Sequence, residues 1–315
     1  MAATEKLLIW AGTNARWILA IGSILALFLP SLSALLRPAL PFLVSTVLAM
    51  AMARMDILGL LRSILRPKRL IFLTVASLVF MPVTAAIYLA VAKLFGLDVG
   101  NTNSLIYLAA APPIASSAGL CFLLGFNAVI AVELTLVAML LTPIIGVATV
   151  NIFLTNPPMI EPLALSIRLS GIIALGIVIA LLIRFVVGAA RIQRNGKIFD
   201  GLAALNMLVF IVPLFDGVLA IIKNDPARAV FVLGLGVIFN FGVNVLTAFL
   251  ARNVTNAEDA GAFGIMNGNR TVAIYLAVVP ADPAFMLFVA LYQFPMYLTP
   301  IFRPLFLAAA GKRDA

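Results

Sequence analysis

The sequence contains no histidine and one cysteine, Cys121. Those absences remove histidine-based triads, His/Cys zinc sites and any intramolecular disulfide. Cys121 lies inside an apolar stretch and reads as a small packing residue rather than a reactive thiol. Charge is scarce too: 10% of the 315 residues are Asp, Glu, Lys or Arg, where a soluble domain carries about 25%. With no nucleophile–base pair and no metal cluster in view, the sequence argues against an enzyme.

What is present is apolar. Hydrophobic residues make up 64% of the chain and the mean hydropathy is +1.18. A soluble fold of this length has no place for so much apolar surface, whereas a bilayer does. Spanning a bilayer takes about 20 apolar residues per helix. Uncharged runs at 17–36, 70–92, 134–160, 230–251 and 283–302 meet that length, and the run 99–132 is too long for one simple span. No basic segment with an A-x-A cleavage site precedes the first run, which therefore reads as a span rather than a secretory signal.

The pattern predicts an all-α polytopic membrane protein of one transporter-like domain covering 1–315. Ten transmembrane helices are expected near 15–36, 38–55, 70–95, 102–124, 127–154, 166–188, 200–222, 229–252, 257–279 and 283–304. The loop after the second carries Arg54, Arg62, Arg66, Lys68 and Arg69, and the loop after the sixth follows Arg184 with Arg191, Arg194 and Lys197. Lys and Arg favour the cytoplasmic side. Placing both loops there puts both termini inside, together with Lys6, Arg16, Arg252, Arg303, Lys312 and Arg313. Only Arg37, Lys93, Arg168, Lys223 and Arg228 then fall outside. The net charge of +9 is thus a matter of topology in a cell (inner) membrane and of anionic lipid, with no nucleic-acid partner implied.

An internal repeat is visible. Leu141-Thr142-Pro143-Ile144-Ile145 recurs as Leu298-Thr299-Pro300-Ile301-Phe302, 157 residues later. The same offset carries Pro112-Pro113, the strongest helix breaker of the fourth segment, onto Asn269-Arg270 in the ninth. Five spans per half is an odd number, so the two halves are expected to be inverted five-helix repeats, each with a broken helix. That is the sequence signature of secondary transporters.

The breaks hold the candidate chemistry. Pro112 and Pro113 interrupt the fourth helix and free backbone groups, and Ser116 and Ser117 add hydroxyls just beyond. Freed groups in hydrocarbon must be buried in protein or line a wet cavity. In the ninth, Gly268 relaxes the backbone, Asn267 and Asn269 supply amides, Thr271 adds a hydroxyl, and Arg270 places a charge near mid-membrane. Such a charge is costly and faces a cavity or a partner. Arg270 is read either as the ligand of an anionic substrate or as the ion-pair partner of Glu133, the only charge between Val99 and Ile160. Asn240 and Asn244 share one face of the eighth helix and point to the crossing or bond between helices. Asp216 reads as a solvated helix end.

From Ala111 to Pro143 the chain resembles the bile acid:sodium symporter superfamily: a proline-containing break, a Ser-x pair at Ser116-Ser117, then Gly125-Phe126 and a helix ending in Thr142-Pro143. Met81-Pro82 after the basic Arg66-Pro67-Lys68-Arg69 loop, and the Gly-x-x-Asn break of the ninth helix, are similar to that family too. The resemblance covers the whole chain in layout. It implies a core of helices at about 70–154 and 229–304, in which the fourth and ninth helices cross at their breaks, and a panel at about 15–55 and 166–222. Substrate would bind between them and transport would proceed by alternating access.

The family's sodium ligands fall here on Ser116, Ser117, Ile130 and Leu134 with Thr135 adjacent, and on Gly264 and Gly268. Most of the oxygen that would hold sodium is therefore absent, and Arg270 can replace the ion's charge permanently. Related arsenite exporters place a cysteine where Pro113 stands, which argues against arsenite. Three functions follow as expectations. The first is a secondary transporter of a small organic anion, bound near Arg270, Asn267, Asn269, Ser116, Ser117, Asn240 and Asn244, with sodium or proton as coupling ion at Glu133, Ser116, Ser117, Thr135 and Thr271. The second is a proton-coupled exporter or antiporter using Glu133. The third, a non-transporting receptor or scaffold, fits poorly with the short loops. No cofactor is expected beyond the coupling ion.

Overall fold

The structure, a computed structural model, describes residues 3–55, 57–155, 161–280 and 282–312. Arg313 and the last five residues of the 134–160 run lie outside the described residues. Among the described residues the chain is 85% helical and shows no strand, as expected where every backbone group must be satisfied within its own segment. Seven of the described helices are long and apolar enough to cross a membrane: α3 (Leu32–Ala53), α5 (Pro67–Leu94), α8 (Ala128–Phe153), α9 (Pro162–Val187), α11 (Gly196–Leu214), α13 (Pro226–Ala251) and α16 (Pro283–Ala310). An eighth is added if the first two helices, which meet at 90°, form one bent span.

These two are α1 (Ala3–Thr13) and α2 (Ala15–Ala26). The sequence places the boundary between the first two spans at Arg37-Pro38, but the chain turns earlier, at Leu27–Leu29, and α3 runs through Arg37–Ala39 as a tightened 3₁₀ turn. The reason is proline position. Pro30 disfavours helix in the residue before it, while Pro38 opens a turn where its missing N–H is not needed.

Three other expected segments are not continuous: the seventh, expected at 200–222, which stops at Leu214 and resumes at Val218 after a left-handed Gly217, and the fourth and ninth. The fourth is α6 (Val99–Ala110) and α7 (Ser117–Leu124), separated by extended chain. The ninth is α14 (Ala257–Gly268) and the single turn α15 (Ala273–Leu276). Shorter connecting helices include α4 (Ile57–Ile64), α10 (Ala189–Arg194) and α12 (Val218–Asn224).

Packing sorts the helices into two sets. In one, α3 packs on α9 and α11, and α11 also packs on α1 and α2. Close approach is achieved by glycine: a Cβ on Gly201 of α11 would collide with the Leu8 carbonyl of α1, and one on Gly176 of α9 would lie 3.1 Å from the Ser45 carbonyl of α3. In the other set, α5, α6 and α8 pack together, as do α13, α14 and α16, and α6 packs on α16. The outer surface carries large apolar side chains such as Phe122, Phe185 and Leu94, a face suited to lipid.

Several long helices depart from α geometry where proline or asparagine interrupts the ladder. π-turns occur at Val79–Val83 with Pro82, at Thr142–Gly146 with Pro143, and at Ile238–Gly242 with Asn240, and a 3₁₀ turn occurs at Thr299–Phe302 with Pro300. Such turns expose carbonyls that a regular helix would use.

Candidate functional site

The two chain breaks meet. Ala111 and Asn269 are extended, and the segments pair as a short antiparallel bridge between Pro113 and Arg270. The Ile114 N–H donates to the Asn269 carbonyl at 2.9 Å and the Thr271 N–H to the Pro112 carbonyl at 2.9 Å. In this pattern the bridge residues themselves contribute no N–H, so proline at 113 loses nothing. The remaining freed carbonyls are also satisfied. Ala110 accepts from the Tyr275 hydroxyl at 3.1 Å, Pro113 from Thr271 Oγ1 at 3.3 Å, and Ile114 from Ser117 Oγ at 2.5 Å.

Arg270 fills the crossing and is 1% exposed. Its Nη1 donates to the Ala111 carbonyl at 2.7 Å and its Nε to the Asn267 carbonyl at 3.0 Å, while Nη2 donates to the Phe80 carbonyl and to Asn267 Oδ1. Four oxygens from three helices thus enclose the charge, and the Phe80 ring lies 5.9 Å from the guanidinium carbon. Burying an unpaired charge is prohibitive; charge-assisted bonds to carbonyl dipoles, each worth about 1.5–3 kcal/mol, offset that cost without a carboxylate.

Of the two roles read for Arg270, the ion pair with Glu133 therefore does not form. Glu133 is buried on another face of α8, where its Oε1 accepts from Ser63 Oγ at 2.6 Å and its Oε2 from Arg69 Nε at 2.7 Å. The physical reason is position: Glu133 lies where α4 and the start of α5 pack, and every nitrogen of Arg270 is already engaged at the crossing. Asp216, read as a solvated end, pairs with Arg37 at 2.8 Å.

Behind the bridge is a dry polar cluster. Asn240 Nδ2 donates to the Gly268 carbonyl at 2.7 Å and to Asn269 Oδ1 at 3.1 Å, Thr299 Oγ1 donates to Asn269 Oδ1 at 3.0 Å, and the Tyr292 hydroxyl donates to the Gly268 carbonyl. Asn244 Nδ2 donates to the Asn240 carbonyl at 3.0 Å. Gly268 is required by closeness rather than by a positive φ, since a Cβ there would come within 2.5 Å of the Asn240 carbonyl and strike the Asn244 amide.

In front of the bridge lies a cavity of about 680 Å³ between the two helix sets. Val44, Leu48 and Ala51 of α3, Ala203, Met207 and Phe210 of α11, and Gln293 and Met296 of α16 form apolar walls with one amide. Ile114, Ala115 and Ser116 of the first break and Arg270, Thr271 and Val272 of the second border it as well. The first turn of α7, with the unsatisfied N–H groups that begin any helix, faces this space through Ala118 and Gly119. At the exposed rim Arg54, at the end of α3, pairs with Asp200 of α11. Partial burial lowers the Arg54 pKa below its ordinary value, although 43% of its side chain stays exposed. The Ala53 carbonyl beside Arg54 accepts from Arg184 Nη1 at 3.0 Å, which fixes the helix end.

The expected site residues thus divide. Arg270, Ser116 and Thr271 border the cavity. Asn267 holds Arg270 and donates to Thr247 Oγ1 at 2.9 Å, while Asn240, Asn244 and Asn269 bind one another behind the bridge. Ser117 caps its own turn, and Thr135 is buried with no partner for its hydroxyl among the described residues. Sequence reasoning treated Arg54 as a loop charge and passed over Asp200, Gln293 and Tyr292. Arg54 and Asp200 are brought together from 146 residues apart, a separation that carries no local signal.

A second cavity of about 550 Å³ follows the first along α3, lined by Pro38, Phe42 and Ser45 with Arg168, Gly171 and Val278. The turn α15 packs on α3 between the two. Arg168 Nη1 of α9 donates to the Val278 carbonyl at 3.0 Å and closes the far side. No protein-family model matches the chain, and no curated protein matches it.

Proposed function

We propose that this chain is a secondary transporter of small organic anions that works by alternating access, with a layout like that of the bile acid:sodium symporter superfamily. The observation that carries the reading is the crossing of two interrupted helices around a buried arginine that borders a cavity between two helix sets. Secondary transporters bind substrate at such crossings of broken helices.

The register of the crossing supports inverted repeats. Pro113 and Arg270 are bridge partners, and they are 157 residues apart, the separation of the two Leu-Thr-Pro motifs. Exchanging the halves turns the bond from Ile114 to Asn269 into the bond from Thr271 to Pro112. Residues related by a two-fold axis meet each other on that axis, and these do. The helix irregularities recur in the same register, the π-turn at Pro143 answering the 3₁₀ turn at Pro300. Counting the bent α1–α2 pair and each broken helix as one crossing brings the seven continuous spans to ten. On this reading α1–α3, α9 and α11 form the panel, the remaining long helices form the core, and the basic loops keep both termini cytoplasmic in the cell membrane.

Arg270 is then a resident cation. It is held by four carbonyl oxygens, the ligand type that a hard cation such as sodium prefers. Its charge and the first turn of α7 make the cavity floor favourable to an anion. The expected result is uptake of a carboxylate into proteoliposomes that is indifferent to an imposed sodium gradient and lost in Arg270→Ala. Sodium-driven uptake, or normal uptake by a folded Arg270→Ala protein, ends this reading. A pH-driven response lost in Glu133→Gln would favour proton coupling through Glu133 instead.

A further inference from the structure

Arg270 is the charge that first suggests an anion site, yet its nitrogens are spent on four oxygens at the crossing. A substrate carboxylate could displace those bonds only by stranding backbone carbonyls in a dry environment, at about 1–3 kcal/mol for each orphaned group. The other cation on the cavity wall is Arg54, with 43% of its side chain exposed, and its partner Asp200 is 40% exposed. An ion pair this accessible is worth little, typically below about 1 kcal/mol, so an incoming anion can replace Asp200 at small cost.

We infer that Arg54 is the residue that binds the anionic group of the cargo, and that Asp200 is a built-in competitor which occupies Arg54 when the cavity is empty. The inference rests on the proposed transport function and names its recognition element.

Three features fit this exchange. Arg54 meets Asp200 through Nη1, and its guanidinium fork is suited to a bidentate carboxylate. Arg184 holds the neighbouring carbonyl of Ala53, which fixes the backbone from which Arg54 projects while its partner changes. The wall between Arg54 and the bridge is apolar, with Leu48, Ala51, Met207 and Phe210. A molecule with its anionic end on Arg54 lays an apolar body along that wall, so the ligand class is a monoanion with an apolar body rather than a compact polyanion.

The test uses full-length protein in nanodiscs with radiolabelled 4-phenylbutyrate as probe and 4-phenylbutyramide as its uncharged counterpart. Asp200→Asn removes the competitor and should tighten 4-phenylbutyrate by about threefold, the worth of an exposed pair. Arg54→Gln should weaken it by about tenfold or more, the loss of a charge-assisted contact. Arg54→Lys should fall between, because it keeps the charge and loses the fork. None of the three should move the amide. A pair that only holds α3 to α11 would make both Asp200→Asn and Arg54→Gln lose binding together, and that result overturns the inference. So does an amide that shifts with the acid, or an Asp200→Asn protein that binds no 4-phenylbutyrate at millimolar probe. Transport is scored separately. Binding that follows Arg54 without any uptake sinks only the transporter reading, and uptake that ignores Arg54 sinks only this one.

Discussion

At the scale of single residues, the crossing is a saturated site, and its tolerance to change should be correspondingly low. Gly268 has the Asn240 carbonyl and the Asn244 amide where a Cβ would go. Neither neighbour can yield, because each is held within the asparagine cluster. Gly268→Ala should therefore abolish stable accumulation or lower the thermal midpoint sharply, through overpacking of about 1–3 kcal/mol together with loss of the Asn240 bonds. Tyr292→Phe is the gentler probe. It removes a hydroxyl that donates to the Gly268 carbonyl and accepts long bonds from the Arg270 N–H and Asn240 Nδ2, but leaves Asn240 donating to the Gly268 carbonyl at 2.7 Å. The expected cost is about 1 kcal/mol, read as a small drop in midpoint with protein yield unchanged. A Tyr292→Phe loss as large as that of Gly268→Ala would mean that the cluster depends on the hydroxyl and not on close packing.

At the scale of elements, the informative case is α4, the short helix joining α3 to α5. Its Ser63 donates to Glu133 of α8, which also accepts from Arg69 at the start of α5. Glu133→Gln should weaken both contacts and loosen this connector. Arg69 is one-third exposed and can reach water, so the loss is discounted for screening and expected at about 1–2 kcal/mol. Ser63→Ala should cost less than Glu133→Gln in the same thermal assay, and the reverse order would show that the serine bond from α4, not the Arg69 bond between α5 and α8, dominates this contact. This pair also shows how far the sequence could be read. Pro112-Pro113 and Asn267-Gly268-Asn269-Arg270 announce the breaks because proline and clustered polar residues have strong local consequences, and the 157-residue register of those breaks is the register of the bridge. The partners of Arg270 were not legible. Two are the main-chain carbonyls of Phe80 and Ala111, and every residue has a carbonyl. The Arg270–Glu133 pairing was suggested because Glu133 is conspicuous by being alone, whereas its actual partner Arg69 sits in a basic run that reads as topology. The turn at Leu27–Leu29 was hidden by Pro38, which looked like the better breaker but stands where proline is tolerated.

At the scale of the whole molecule, the proposed alternating-access cycle needs contacts between the helix sets that form and break. The first cavity reaches the exposed Arg54–Asp200 pair, and on its other side α15 packs on α3 and Arg168 binds the Val278 carbonyl. Arg37 adds a second tie there, holding Asp216 at 2.8 Å and reaching Met286 of α16 at 3.3 Å. The Arg168 bond and the Met286 contact of Arg37 join one helix set to the other, whereas Arg37–Asp216 lies within one set, so moving the sets apart must break the first two. Two glycines allow a direct test because a side chain added at either meets nothing within 4 Å: Gly119 borders the first cavity and Gly171 the second. On the proposed orientation, in a Cys121→Ala background, Gly119→Cys should react with a membrane-impermeant thiol reagent from the cytoplasmic face and Gly171→Cys from the outer face. Arg168→Gln removes one tie and should make Gly119→Cys reactive from the outer face as well, because the two cavities are separated only by the thickness of α15 and the chain beside it. If Gly119→Cys already reacts equally from both faces with Arg168 intact, the molecule is an open passage and no gate is present. If Arg168→Gln leaves the outer face unreactive while transport continues, the bond to Val278 is a packing detail, and the closure must be sought in the α15–α3 contact alone.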